Sequence, residues 1–249
     1  MRKKVLITLP AYNEEDQLEK KVLQLSNFAK KKLTKIDYRI VIAENGSKDK
    51  TPTIARKLAK QIPNVDFYKH PEQGRGKALY ALWEKRKTDC YVYMDVDLAT
   101  DIKHTPELID SILSKNHSLS IGTRNLKSSR VSRSLKRTII SKGYISLLKV
   151  IFKIKSSDTQ CGFKAISLDA KERLWPLMDP INWTGAAWFF DAELIIIAEK
   201  IGLKIYEIPV KWNEAPDTTV QIQSTIQEDL NGIVRILKSK PWTQKSSNI

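Results

Sequence analysis

At 249 residues and 41% hydrophobic content the chain can bury one full α/β core, and no Gly/Ser/Pro-rich linker, internal repeat or low-complexity block divides it. Two distant cysteines, Cys90 and Cys161, argue against a disulfide framework, and His70, His104 and His117 lack the spacing of a structural zinc site. The formal net charge is +15, and no stretch approaches the roughly 20 apolar residues that span a bilayer, so a cytoplasmic protein, at most docked on a membrane surface, is expected.

The opening Met1-Arg2-Lys3-Lys4 before Val5-Leu6-Ile7 imitates a secretory signal, but the apolar run is short and Glu14, Glu15 and Asp16 follow at once. A strand over 5–9 fits better. A helix over 14–33 follows, with Leu18, Val22, Leu25 and Phe28-Ala29 near 3.6 spacing. Next come a strand over 38–43, a helix over 51–61 opened by Ser47, Asp49 and Pro52, a strand over 65–68 and a helix over 76–86. Strands over 90–94 and 119–121 bracket a helix over 108–113. This alternation predicts a mostly parallel sheet covered on both faces, with chemistry beyond the carboxyl ends of its strands. Residues 1–238 read as a single domain and 239–249 as a polar C-terminal tail, expected to be disordered.

Three of those strand ends carry suggestive residues: Pro10-Ala11-Tyr12-Asn13-Glu14-Glu15, Glu44-Asn45-Gly46-Ser47-Lys48-Asp49, and Asp95-Val96-Asp97. The last is the sharpest. Period-two alternation places Asp95 and Asp97 on one side of the chain, and two hard oxygen donors suit Mg²⁺ or Mn²⁺, which also take ligands from a diphosphate. Alone, the pattern also fits a solvated loop with a helix cap.

Together these runs, with Gly74-Arg75-Gly76-Lys77, resemble the inverting family 2 glycosyltransferases of the GT-A fold. Asp158-Thr159-Gln160-Cys161-Gly162-Phe163-Lys164 and Phe190-Asp191-Ala192-Glu193-Leu194 look like the dolichyl-phosphate sugar synthases within that family. The resemblance extends from about Val5 to Val220. It implies a Rossmann-like GT-A sheet and a nucleotide-sugar site formed by Pro10, Tyr12, Glu14, Glu44, Lys77 and Asp95. It also implies a metal, Mg²⁺ or Mn²⁺, between Asp95 and Asp97. The family usually carries Asp where Glu44 stands, so base contacts are expected to differ. Tyr12 could instead be ordinary packing, and Glu14 a first-turn acid complementing a helix dipole.

The charge is concentrated. Between Asp110 and Asp158 there is no acidic residue, while 11 Lys and Arg residues lie in that interval. The resemblance assigns Arg124, Arg137 and Ser141 to the phosphate of a polyprenyl (dolichyl-type) acceptor, and the i, i+4 spacing of the last two puts them on one helical face. From 130 to 155 aliphatics alternate with lysines, which predicts short amphipathic helices on an anionic membrane surface. A core-facing helix with a solvated basic face is the alternative. Gln160 and Lys164 are expected on the acceptor or sugar side. Cys161 reads as packing, with no histidine nearby to activate it.

A phosphomonoester with a second pKa of about 6 is already a nucleophile near neutral pH, so no indispensable general base is expected. Asp191 is the residue otherwise nominated for catalysis, and it receives a positional or sugar-binding role; a plain N-terminal helix acid is the alternative. Ala99 and Thr100 after the aspartate pair, and Val210-Lys211-Trp212-Asn213-Glu214, look like the glucosyl branch. Thr218-Thr219 replaces a Ser-Lys of relatives, and a basic amphipathic helix is expected over 222–238.

The reading is therefore metal-dependent transfer of a hexose, UDP-glucose favoured, to dolichyl or polyprenyl phosphate by a peripheral enzyme on the cytosolic face of a membrane. The alternatives are a GDP-mannose donor or a non-lipid acceptor. A nucleic-acid-binding protein needs aromatics among the basic residues, and 111–157 offers only Tyr144 and Phe152. A nucleotidyltransferase needs a glycine-rich loop after the first strand, absent at 10–15. A degenerate, non-catalytic binder is a third alternative, which unchanged activity in Asp95→Asn would support.

Overall fold

A computed structural model describes residues 2–185, 187–214 and 222–243, with side chains from 225 in the last stretch. The Thr218-Thr219 departure lies outside the described residues.

The first half folds as its alternation requires. It runs β1 (Lys4–Ala11), α1 (Leu18–Lys32), β2 (Asp37–Asn45), α2 (Thr51–Gln61), β3 (Val65–His70), α3 (Arg75–Lys85) and β4 (Cys90–Met94). These are followed by α4 (Thr105–Leu113), β5 (Leu119–Thr123), β6 (Arg130–Ser132) and α5 (Leu135–Phe152). The chain closes with β7 (Phe163–Ser167), α6 (Leu168–Leu174), α7 (Phe190–Lys200), β8 (Ile205–Pro209), β9 (Lys211–Asn213) and α8 (Ile222–Ser239). The main sheet has the order β3-β2-β1-β4-β7-β5-β8, and only β7 runs antiparallel to its neighbours.

Burial on both faces explains why the strands read as near-continuous apolar runs. In β1, Val5, Ile7, Leu9 and Ala11 enter one core, with Leu18, Val22 and Leu25 of α1. Leu6 points into the opposite core, with Leu79, Leu82 and Trp83 of α3. Thr8 lies on that second side and accepts a hydrogen bond from Trp83 Nε1 at 2.9 Å, which satisfies the buried indole N–H.

Helix α1 begins four residues later than its periodicity suggested. The N–H groups of residues 13–15 are held by the loop after β2, residues 15–17 form a turn in which Gln17 and Leu18 donate to the Glu14 carbonyl, and Asn13 adopts φ 53°. Helices α3 and α7 touch at their first turns, where a Cβ on Gly76 would lie 2.5 Å from the Cβ of Phe190. Only glycine permits that approach, and it brings the N-termini of two helices to the carboxyl edge of the sheet.

The basic segment forms one helix, not several short ones. At 18 residues α5 is about 27 Å long. Ser134 caps it by accepting from the Arg137 N–H, and no proline or mid-helix cap interrupts it. Ile145, Leu148 and Phe152 pack in a third core with Phe189 and Ile196 of the α7 region and Ile233 and Ile236 of α8. Leu135, Ile139 and Val150 are 82%, 71% and 79% exposed.

Of the tail expected to be disordered, 239–249, only 239–243 are among the described residues, and 244–249 lie outside them. Pro241–Thr243 form a short 3₁₀ turn, with the Trp242 ring edge-on to Phe152 at 6.3 Å. Among the described residues, no helix is long and apolar enough to cross a membrane.

Candidate active site

The segments after β1, β2 and β4 meet at one edge of the sheet. The Asn45–Thr51 run is largely spent on shaping the first loop. Ser47 Oγ accepts from the Asn13 N–H, Thr51 Oγ1 from the Glu14 N–H and Asp49 Oδ2 from the Glu15 N–H, at 3.1, 2.7 and 3.1 Å. Asn45 Nδ2 donates to the Ala11 carbonyl, and its Oδ1 accepts from the Gly74 N–H. Gly46 has φ 77°, and a Cβ there would meet Gln73 N at 2.8 Å, so this loop packs against the start of α3 only with glycine.

Within this frame Pro10 is buried and Tyr12 half-buried. Glu44 is fully buried; its Oε1 accepts from the Ser47 N–H at 2.5 Å, while Oε2 has no partner among the described residues. An unspent carboxylate oxygen at this depth is an acceptor for a donor brought by a ligand. Glu14 is no simple helix acid. It precedes α1, and its carboxyl is pushed up to about 7, first by burial and then by Asp97, Asp95 and Asp49, against a hydrogen bond from Gln17.

Asp95 and Asp97 lie just beyond β4 in a turn, not on the strand itself. The Asp95 N–H donates to the Gly162 carbonyl at 3.0 Å, and Asp97 Oδ1 accepts from the Ala99 N–H at 2.9 Å. A Cβ on Gly162 would fall 1.9 Å from Asp95 Oδ2, so a glycine leaves the space that this carboxylate occupies. Burial, followed by the charge of Asp95, raises the Asp97 pKa above the usual carboxylate range. The charge of Asp95 opposes ionisation of Asp97, a crowding that a further cation would relieve. No group of three His, Cys, Asp or Glu that could hold a metal exists among the described residues. Mg²⁺ needs only one or two carboxylates beside substrate phosphates, and the pair fits that requirement.

Two basic side chains reach this centre: Lys21, whose Nζ donates to the Asp97 carbonyl, and Arg75. Lys77, the expected one, pairs with Glu72 at 2.9 Å. Two positions apart on a helix, the side chains project from opposite sides. The Arg75 guanidinium donates from Nη1 to Asp95 Oδ1 at 3.0 Å and from Nη2 to Asp191 Oδ2. It also lies 4.5 Å from the centre of the Trp188 ring.

Asp191 is fully buried. Its Oδ1 accepts from Lys164 Nζ at 2.6 Å, and Lys164 also donates to Tyr93 OH and the Cys161 carbonyl at 3.0 and 2.7 Å. Burial raises the Asp191 carboxyl to about 6 against the pull of Arg75, and burial lowers Lys164 to about 7. Lys164 is therefore not a contact of the acceptor or sugar side. It stands under Asp191 because β7, where it resides, is an interior strand. Asp191 is in turn the anchor for Arg75. Cys161 is buried, with its thiol pushed up to about 11 by burial, which leaves it packing.

The arginine side adjoins this centre. A small parallel sheet pairs β6 with β9, and β9 also bonds the chain just after the aspartate turn, through Thr100–Trp212 and the Asn213 N–H to Ala99 carbonyl bond. The turn carrying Asp95 and Asp97 is thereby tied to the basic segment. Arg124 lies with its guanidinium 5.6 Å from the Trp212 ring centre, and Arg133 lies at 5.9 Å. Arg124 donates from Nε and Nη2 to Asp158 at 2.7 and 2.9 Å. Burial opposes its charge, but Asp158 outweighs burial and Asp95 adds to the effect. Arg133 is lowered by burial and then by Arg124, with Arg137 contributing in the same direction. Arg137 pairs with Glu214, and Ser141 follows one turn later on α5. Gln160 Nε2 donates to Asp229 of α8 at 3.1 Å.

Arg124 thus stands near Asp95, Arg137 is paired with Glu214 and Ser141 lies one turn beyond it on α5, while Lys77 turns to Glu72 and Lys164 is buried against Asp191. Arg75, Trp188, Asp158 and Trp212 were not singled out from the sequence. The available signal for Arg75 was Gly74-Arg75-Gly76, a charge between two residues that allow close backbone approach.

Residues 6–175 match the family described as "Glycosyl transferase family 2". The chain is 33% identical to glycosyltransferase AglD of Haloferax volcanii, over 88% of this chain but 34% of that protein, so it spans about a third of that relative's length. It is 31% identical to dolichyl-phosphate beta-glucosyltransferase ALG5A of Trichomonas vaginalis, over 89% of this chain and 69% of that protein. Among solved structures, glucosyl-3-phosphoglycerate synthase of Mycobacterium tuberculosis, in complex with Mn²⁺, UDP and glucosyl-3-phosphoglycerate, superposes with a TM-score of 0.64. It covers 98% of this chain and 82% of that one at 15% identity, a likeness of fold.

Proposed function

Because this chain belongs to glycosyl transferase family 2 and is a glycosyltransferase, we propose that it moves a hexose from a nucleotide-sugar, UDP-glucose, to a dolichyl or polyprenyl phosphate with inversion. The observation that carries the proposal is the meeting of two opposite centres on one sheet edge. A carboxylate pair, Asp95 and Asp97, adjoins the arginines at 124, 133 and 137. The first suits a metal-bound diphosphate and the second an anionic acceptor. The glucosyl donor is supported by Ala99 after the aspartate turn and by the names of the relatives. The lipid acceptor is supported by those names and by the uninterrupted basic segment.

A divalent cation bound by Asp95 and Asp97 would neutralise charge on the departing nucleoside diphosphate. The residues of the chain do the rest. Glu44 Oε2 accepts from the base, and Arg124, Arg137 and Ser141 hold the acceptor phosphate in line. That phosphate is already anionic, so no side chain has to remove a proton. Asp191 is consistent with this, since both its oxygens are taken by Lys164 and Arg75.

Incubation of the protein with Mg²⁺ or Mn²⁺, a short polyprenyl phosphate and radiolabelled UDP-glucose or GDP-mannose tests the reading. Label is expected in the organic phase from UDP-glucose. Label confined to water-soluble products would remove the lipid acceptor, and transfer from GDP-mannose alone would exchange the donor.

The exposed face of α5 is proposed as the membrane contact. Leu135, Ile139 and Val150 project beside Lys136, Lys142, Lys149 and Lys153, with no acid on the helix. Burying one such side chain is worth about 1.5–3 kcal/mol, and each basic residue near an anionic surface about 1 kcal/mol. Ile139→Asp with Val150→Asp is expected to lower binding to anionic vesicles at least about ten-fold. Turnover of a short, detergent-dispersed acceptor should stay near the parent value. Unchanged co-sedimentation would assign membrane contact to another surface.

A further inference from the structure

Arg75 occupies one oxygen of a carboxylate that a metal would use. Its Nη1 sits 3.0 Å from Asp95 Oδ1, and the whole Asp95 carboxylate lies against Gly162. The remaining anchors of Arg75 do not involve Asp95: Asp191 takes Nη2, and Trp188 lies across the guanidinium plane. The Nε–H is buried with no hydrogen-bond partner among the described residues. Asp95, unlike Asp191, is 38% exposed on its side chain, so one of the two carboxylates held by Arg75 is open to solvent and the other is not.

On the reading of a metal-bound donor given above, we propose that Arg75 is a resident counter-cation for Asp95, released only when a divalent metal arrives together with an anionic diphosphate. Asp191 and Trp188 keep the guanidinium in place, its Nη1–H passes from Asp95 to the diphosphate, and the Nε–H gains there the partner it lacks. A metal alone must displace Arg75 from Asp95 and leave a buried cation with one partner fewer. A metal with a nucleoside diphosphate supplies the replacement partner. Metal and nucleotide binding are therefore coupled through one side chain, and coupling of this kind is reciprocal. Arg75 is on this account a positioning residue that makes the enzyme decline free metal.

The test is Mn²⁺ binding followed by electron paramagnetic resonance, with no sugar and no acceptor present, on the parent and Arg75→Gln, each with and without UDP. Arg75 fills Asp95 Oδ1 and repels a second cation brought to the same carboxylate. Removing Arg75 should therefore tighten Mn²⁺ binding in the absence of UDP about ten-fold or more. The tightening of Mn²⁺ by UDP, large in the parent, should shrink by a comparable factor. A gain in affinity is not the result of a damaged site. Equal or weaker Mn²⁺ binding by Arg75→Gln, where the parent binds Mn²⁺ with UDP, overturns this proposal and leaves the metal-bound donor standing. Absence of Mn²⁺ binding by the parent even with UDP removes both. Should Arg75→Gln fail to fold, Arg75→Lys keeps a charge near Asp191 but cannot fork to both carboxylates. Mn²⁺ affinity equal to the parent in that variant also overturns the proposal.

Discussion

Replacing Asp97 with Asn is expected to lower sugar transfer by roughly a thousand-fold, on the scale of losing a principal electrostatic group, while raising the melting temperature of the donor-free protein. Asn keeps the acceptor that Asp97 Oδ1 offers to the Ala99 N–H, so the turn survives. What it removes is one charge from a crowded set. Asp97 is raised by burial and then by Asp95, and Glu14 nearby is raised to about 7 by burial and the same two aspartates. A carboxyl whose folded pKa exceeds its unfolded value opposes folding when ionised, and that penalty fades as pH falls through the folded value. The stabilisation by Asn should therefore be largest above neutrality and diminish under mildly acidic conditions. Calorimetric melts at pH 8 and pH 5, beside transfer rates at saturating metal, measure both halves. Transfer within a few-fold of the parent would remove Asp97 from the metal site. A lower melting temperature at pH 8 would remove the argument from like-charge crowding.

The second large effect falls on Arg124. Substitution by Met leaves Asp158, buried with its side chain 3% exposed, without its bidentate partner. Breaking such a pair costs about 3–5 kcal/mol, or roughly 6–20 °C in a domain of this size at about 2–4 °C per kcal/mol. Asp158→Asn in the Arg124→Met background neutralises the stranded charge and keeps an acceptor oxygen for one of the two N–H groups, those of residue 124 and Gln160, that the two Asp158 oxygens now serve. That double variant should regain part of the lost stability. If Arg124 also meets the acceptor phosphate, it should not regain activity, and the KM for the lipid phosphate should rise more than that for the donor. Full recovery of transfer alongside stability would confine Arg124 to holding Asp158. The comparison separates the two roles because the fold depends on the balance of the pair, whereas phosphate recognition depends on the cation.

The local chemistry of the sequence was sufficient for the frame. Apolar runs of five to nine residues between helical patterns produced β1, β2 and β4 within a few residues. Pro52 with Ser47 and Asp49 marked the start of α2 at its observed position, Thr51. The aspartate pair could be placed at a strand end from an apolar run of five residues alone. These features depend on a period of 2 or 3.6, which a residue and its near neighbours fully specify.

The partners of the charged side chains depended on distances that no local period encodes. Arg75 and Lys77 are equally basic and two residues apart. Which one turned inward was decided by where α3 begins and by Gly76 seating that first turn on Phe190. Lys164 is expected on the acceptor or sugar side, yet β7 is inserted between β4 and β5, so its side chain enters the interior and needs Asp191, 27 residues away. Arg124 likewise meets Asp158 across 34 residues. A buried charge is tolerable only beside its counter-charge, and such pairs are selected by the packing of whole layers, not by neighbours along the chain. The sequence by itself therefore determined β1 to β5, the helices between them to within a few residues, and the edge at which the chemistry gathers. The tertiary structure alone decided which cation faces which carboxylate there.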